Sequence, residues 1–129
     1  MLEWIAVGIG GFIGCCLRFG LFKHLSTMGT QFPFVTLLSN AIAGFVAGFF
    51  IEFEKQFGYI HPKARLFVIT GMMGGLSTFS AFSVETVDLF HQERYGLAAG
   101  NIFLNMVGGF LGVVLGGITA KLIFRKSLS

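Results

Sequence analysis

Between Leu66 and Phe90 an apolar stretch long enough to cross a bilayer is interrupted by the run Gly71-Met72-Met73-Gly74-Gly75-Leu76-Ser77-Thr78-Phe79-Ser80-Ala81-Phe82-Ser83. Glycines and hydroxyls bring a spanning helix nothing at mid-depth. Backbone groups left unpaired in hydrocarbon cost several kcal/mol each, so non-helical chain there must be buried in protein or line a wet cavity. Broken helices of this kind build ion sites in transport proteins. The stretch from Gly74 to Thr78 offers carbonyl oxygens to a cation. The half-helix expected to start near Thr78 aims N–H groups and a positive dipole end at the same region. Chemistry of both signs is available at one place.

Side chains around the break extend this choice. Phe79 and Phe82 stand three residues apart on one helix face. With 17 phenylalanines in the chain, such a pair is ordinary core packing or something more specific. A benzene ring has a positive edge, and rings turned edge-on can coordinate a small anion without a formal charge that would trap it. The hydroxyls of Ser80 and Ser83 can pass a hydrogen-bonded anion along the same element. Glu85, three to six residues beyond the rings, either borders that path or is a solvated carboxylate like Asp88. In the second apolar segment, Asn40 offers two amide donors suited to an anion, or simply glues helices together. Asn105 carries the same ambiguity. Arg18, near the far end of the first segment, is a snorkelling anchor, a vestibule charge for anions, or a tie between helix ends.

Four apolar segments must position these residues: about Leu2 to Phe22, from Pro33 to Ile51, the interrupted third, and about Gly96 to Phe124. Each reaches the roughly 20 residues a spanning helix needs. The second is expected to stop at Glu52, Glu54 and Lys55, and the fourth at Arg125 and Lys126. Short connections join them, and residues 1–129 read as one all-α membrane unit with no linker or soluble domain. Small-residue stripes run along three of the segments: Gly10 and Gly14; Thr36, Asn40, Gly44 and Gly48; and Asn101, Asn105, Gly108, Gly112 and Gly116. Such faces let helix backbones approach closely in lipid; three of them are expected to pack across a subunit interface, with packing within one chain the alternative for any single stripe.

Composition narrows the function classes. The chain is 54% hydrophobic and only 12% charged, about half the charge of a soluble domain. Its net charge of +3 forms no basic stripe, which argues against nucleic acid as a partner. Lys55, Lys63, Arg65, Lys121, Arg125 and Lys126 fall on the side of the termini, against Arg18, Lys23 and Arg94 on the other. That bias leans toward cytoplasmic termini, yet is narrow enough to leave both orientations open. Cys15 and Cys16 are neighbours on a helix, pointing about 100° apart, and read as small core residues. His24, His61 and His91 lie in connections without ligand-like spacing, no nucleophile–base arrangement is visible, and the glycines at 8, 10, 11 and 14 miss the dinucleotide-binding spacing. An enzyme is not expected.

The run from Gly74 to Thr86 looks like the signature GGLTTFSTFS-x-E of the Fluc (CrcB) family of small bacterial fluoride channels. Gly14 to Arg18 and Thr36-Leu37-Leu38-Ser39-Asn40 support the likeness, so the chain resembles that family over essentially its whole length. The resemblance implies an antiparallel, dual-topology dimer with two separate fluoride pathways. It implies passive export of fluoride through the cell membrane, protecting the cell from fluoride that enters as the neutral acid. Phe79 and Phe82 would then be the rings facing fluoride, with Asn40 the polar residue near them. Ser80 and Glu85 would border a polar track, and Arg18 a vestibule. Backbone carbonyls of Gly74 and Ser77 would help hold a structural sodium ion at the dimer centre. The partner is a second copy or a paired homologous subunit, since some members come as two genes. Two departures touch the track: Ala81 stands where the signature often has threonine, and Gly109 where a serine is expected.

Two other classes compete. Small four-helix multidrug exporters use a membrane-embedded glutamate in the first helix, where this chain has only Glu3 at the very start. A non-transporting scaffold leaves the polar break unexplained.

Overall fold

The computed structural model describes residues 1–26, 29 and 31–125; Lys126, counted above among the terminal basic residues, lies outside the described residues. Every regular element among them is helical. Helix α1 spans Leu2–Leu25 and α2 spans Phe34–Phe57. The third span, Pro62–His91, is assembled from pieces. It has a short α3 (Pro62–Arg65), a π-helical segment (Leu66–Met73), a single turn α4 (Gly74–Leu76), and α5 (Phe79–His91). Helix α6 covers Tyr95–Arg125. All four spans are long and apolar enough to cross a membrane. Large side chains such as Trp4, Phe12, Phe19, Phe103 and Phe110 point outward, as a lipid-facing surface requires.

Charge does not stop α2 at Ile51. The helix continues through Glu52, Glu54 and Lys55 to Phe57. Glu52 is buried and accepts a hydrogen bond from Gln56 one turn on, with Lys55 nearby at 3.8 Å. Glu54 faces Arg65 across the connection at 3.7 Å. Neighbours three and four apart on a helix support each other, so this charged turn is extended rather than broken. The stop comes at Gly58, whose φ of +83° suits a residue without a β-carbon.

The break in the third span is narrower than its glycines suggest. Gly74 and Gly75 are helical; only Ser77 (ψ 153°) and Thr78 (φ −153°, ψ 117°) are extended. The glycines serve close approach instead. A β-carbon on Gly71 would lie 2.7 Å from the Val7 carbonyl oxygen, and one on Gly75 would lie 2.5 Å from that of Gly11. From the facing side, a β-carbon on Gly10 or Gly14 would collide with the carbonyls of Phe67 and Met72. Thus α1 lies against the π segment and α4.

The other two stripes mesh in the same way. Gly44 and Gly48 of α2 meet the backbone of Gly109 and Val113, while Gly112 and Gly116 of α6 meet that of Ala41 and Phe45. All three stripes are therefore occupied within one chain, and the expectation of a subunit seam along them is replaced by intrachain packing. The reason is geometric: in lipid there is no hydrophobic drive between helices, so backbone proximity supplies the dispersion contact. A small core of Ala43, Met73 and Leu76 sits where α2 meets the lower half of the third span.

Candidate functional site

In an unbroken helix the amides of Thr78, Phe79, Ser80 and Ala81 would close on the carbonyls of Gly74, Gly75, Leu76 and Ser77. Side chains have taken over here. The Thr78 N–H donates to Asn40 Oδ1 at 2.8 Å, and the Ala81 N–H donates to Thr78 Oγ1 at 3.2 Å. Thr78 is thereby the N-cap of α5. The Gly75 carbonyl accepts from Arg18 Nε at 3.2 Å. Both the amide and the hydroxyl of Ser77 turn back to the Met73 carbonyl, at 2.9 and 2.7 Å. Three carbonyls, those of Gly74, Leu76 and Ser77, have lost the donors that a continuous helix would give them, with no replacement among the described residues. A hard cation suits orphaned oxygens of this type.

The first turn of α5 carries the aromatic pair. The rings of Phe79 and Phe82 are 5.6 Å apart between centroids and inclined at 53°, so the edge of one is offered beside the other. Phe82 is partly buried, whereas Phe79 is 76% exposed in the isolated chain, and Gly74 and Ser80 are exposed with it. Ser80 Oγ lies 3.3 Å from Thr78 Oγ1. Ser83 Oγ donates to the Phe79 carbonyl at 2.8 Å, so its proton is committed to the helix in this conformation.

Behind the rings runs a polar seam. Asn40 Nδ2 donates to Asn105 Oδ1 at 2.9 Å; Asn105 Nδ2 donates to Asn101 Oδ1 at 2.8 Å and to the Asn101 carbonyl at 2.9 Å. Asn101 Nδ2 donates to Thr86 Oγ1 at 2.9 Å, and that hydroxyl donates to the Phe82 carbonyl at 2.7 Å. Further along α5, Glu85 Oε1 accepts from Thr36 Oγ1 at 2.5 Å. Its other oxygen is buried with no hydrogen-bond partner among the described residues. Glu85 and Asp88 border a groove of about 750 Å³ that is otherwise mostly apolar, with Phe22, Phe34 and Leu38 in its walls.

Asn40, Arg18, Gly74, Ser77, Phe79, Phe82 and Ser80 thus gather at one break, while Glu85 belongs to the groove above it. Arg18 serves the break directly, as the tie between helix ends. Thr36, Thr86 and Asn101 also make these hydrogen bonds, although sequence reasoning assigned none of them a site; it marked Thr78 as the end of the carbonyl stretch and the start of the half-helix, not as its cap. A threonine directly ahead of an apolar helical run is an N-cap signal that points to Thr78. Asn101 and Asn105, at i and i+4, share the α6 face already noted as a stripe. Thr36 stands on the α2 stripe, but nothing in the spacing gives it Glu85 as a partner, and nothing marks Thr86.

Four apolar spans, the third broken by two extended residues whose unpaired backbone is managed by polar side chains, define a multi-pass membrane protein. The family described as "CrcB-like protein, Camphor Resistance (CrcB)" matches residues 5–117. Among similar proteins is a "Fluoride-specific ion channel FluC" of Paraburkholderia phymatum, 41% identical over 124 residues, covering 96% of this chain and 98% of the relative. Another of that name, from Clostridium perfringens, is 38% identical over 125 residues, covering 96% and 98%. A third, from Chlorobium chlorochromatii, is 34% identical over 117 residues, covering 91% of each chain. The chain belongs to the CrcB family.

Proposed function

We propose that this protein is a fluoride-selective ion channel of the cell membrane that lets fluoride leave passively, down its electrochemical gradient. Full-length likeness to relatives named as fluoride-specific channels supports the ion. Hydrogen fluoride crosses bilayers as a neutral acid and dissociates inside, so export of the anion needs only the membrane potential. The reading is of a channel and not an enzyme. Fluoride passes the edges of Phe79 and Phe82, meets the Asn40 amide, and leaves past Ser80, Ser83 and Glu85 toward the groove. Charge-free ring edges and single N–H or O–H donors bind weakly enough for an ion to move on.

The working unit is an antiparallel, dual-topology dimer of two copies, or of this chain with a homologous subunit. The observation that carries this is the exposure of Gly74, Phe79 and Ser80, which flank the break on either side. A polar break facing hydrocarbon would leave its carbonyls unsatisfied at several kcal/mol each, so the break is buried in protein or lines a wet cavity, and a partner subunit supplies the cover. The Gly74 and Ser77 carbonyls then meet their symmetry equivalents and hold a structural sodium ion at the dimer centre. That ion neutralises oxygens that no donor reaches, and it braces the break while the anion passes beside it.

The test is efflux from liposomes containing the purified protein, read with a fluoride electrode and repeated with chloride. Fluoride efflux well above that of protein-free vesicles, with chloride retained, is expected. Efflux no faster than from empty vesicles, or equal chloride efflux, overturns the reading.

A further inference from the structure

The chain contains three asparagines, Asn40, Asn101 and Asn105, and all three stand in one hydrogen-bonded line. Its two ends are backbone groups, which cannot change sense. At one end the Thr78 N–H can only donate, and it donates to Asn40 Oδ1. At the other the Phe82 carbonyl can only accept, and it accepts from Thr86 Oγ1. A hydroxyl whose single proton is taken by Phe82 has only lone pairs left for its neighbour. Asn101 must therefore turn its NH₂ to Thr86 and its Oδ1 to Asn105. Asn105 must turn its NH₂ to Asn101 and its Oδ1 to Asn40. The Asn40 NH₂ then faces Asn105 while its oxygen faces Thr78. Each amide has one permitted orientation, imposed from both ends.

That orientation has a functional corollary. One Asn40 N–H goes to Asn105 at 2.9 Å. The other has only the Thr78 carbonyl at 3.5 Å, the outer edge of hydrogen bonding. This loosely held N–H lies at the break, beside the turn that carries the rings. Asn101 is fully buried and Asn105 nearly so, which keeps water from competing for the line.

We infer that Thr86, Asn101 and Asn105 are positioning residues: a directional relay that fixes the Asn40 amide so that its second N–H faces the fluoride path. The inference rests on the fluoride-channel reading for its consequence, but not for its geometry. The relay also joins Asn40 to the Phe82 backbone, so amide and ring pair hold a common register.

The experiment labels the purified full-length protein with ¹⁵N-asparagine, which gives three side-chain NH₂ pairs to follow. Thr86→Val removes the hydroxyl three hydrogen bonds away from Asn40, and Thr86→Ser restores it. Thr86→Val is expected to shift or broaden the Asn40 NH₂ signals, while Thr86→Ser leaves them near wild type. In liposomes, Thr86→Val should lower fluoride flux about tenfold, the effect of one weakened hydrogen bond to the moving ion. Placed in an Asn40→Ala background, it should add little further, because the relay affects flux through the Asn40 amide and the Phe82 carbonyl keeps its helical N–H donor. Unmoved Asn40 signals in folded Thr86→Val overturn the relay, as does a full additional loss in the Asn40→Ala background. If Thr86→Val does not fold, Asn101→Leu with the same Asn40 readout decides. A wild type that carries no fluoride defeats the channel reading alone, since the amide signals still decide the relay.

Discussion

Arg18 on α1 donates through Nε to the carbonyl of Gly75, 57 positions later in the chain, at 3.2 Å. A guanidinium within a span needs a partner, and a carbonyl at a helix break needs a donor. Each answers the need of the other. Arg18→Ala should lower the stability of the purified protein by about 1–3 kcal/mol, the loss expected when a hydrogen bond to a charged group goes and its acceptor is stranded. Thermal unfolding in detergent measures this. Unchanged melting would make the contact incidental.

Helix α1 meets the third span through bare backbone, and Gly14→Ala tests that contact. The added carbon would collide with the Met72 carbonyl and lie 2.9 Å from the Leu76 nitrogen, both backbone atoms that cannot step aside. A loss of about 1–3 kcal/mol or failure to assemble is expected. Gly109→Ser is the counterpart, because a β-carbon there meets nothing within 4 Å. It should melt like the wild type.

Phe79→Ile separates function from stability. With the ring 76% exposed in the single chain, its loss removes little packing from the fold. The aliphatic side chain fills similar space without a positive edge. Fluoride efflux should fall by more than about tenfold, while expression and secondary structure remain normal. Normal flux in this variant would sink the ring-edge pathway.

Sodium should stabilise the protein specifically. An ion held by the Gly74 and Ser77 carbonyls binds the folded state only, so the melting temperature should climb with sodium concentration and level off as the site fills. Potassium at equal ionic strength should not reproduce the rise. A melting curve indifferent to the choice of cation would remove sodium from the account.

Much of this arrangement is legible in the sequence. Apolar length gives the four spans, and the clash between polar residues and hydrocarbon marks the third as broken. The ring pair stands beside that break in the sequence, whereas Asn40, in another span, is brought to it only by the family resemblance and by the fold. What periodicity does not give is the partner of a face. The stripes on α1, α2 and α6 have the spacing of close-packing surfaces, but the same spacing serves a neighbour in the same chain or in another. Glycine also misdirects: Gly74 and Gly75 draw attention as flexible backbone, while the extended residues are Ser77 and Thr78. Long-range pairs such as Arg18 with Gly75, or Thr36 with Glu85, depend on how the helices stack, and local sequence carries no record of that.

The two parts of the third span are fastened to different neighbours. The π segment and α4 lie along α1, whereas α5 lies along α6, which is itself meshed with α2. Ser77 and Thr78 are the covalent strap between these two pairings. A bilayer too thick or too thin for the spans tilts helices at modest energetic cost, and any tilt of one pairing against the other must be absorbed at that strap. Two extended residues thus carry the only covalent link, within that span, between the α1 side and the α5–α6 side of the bundle.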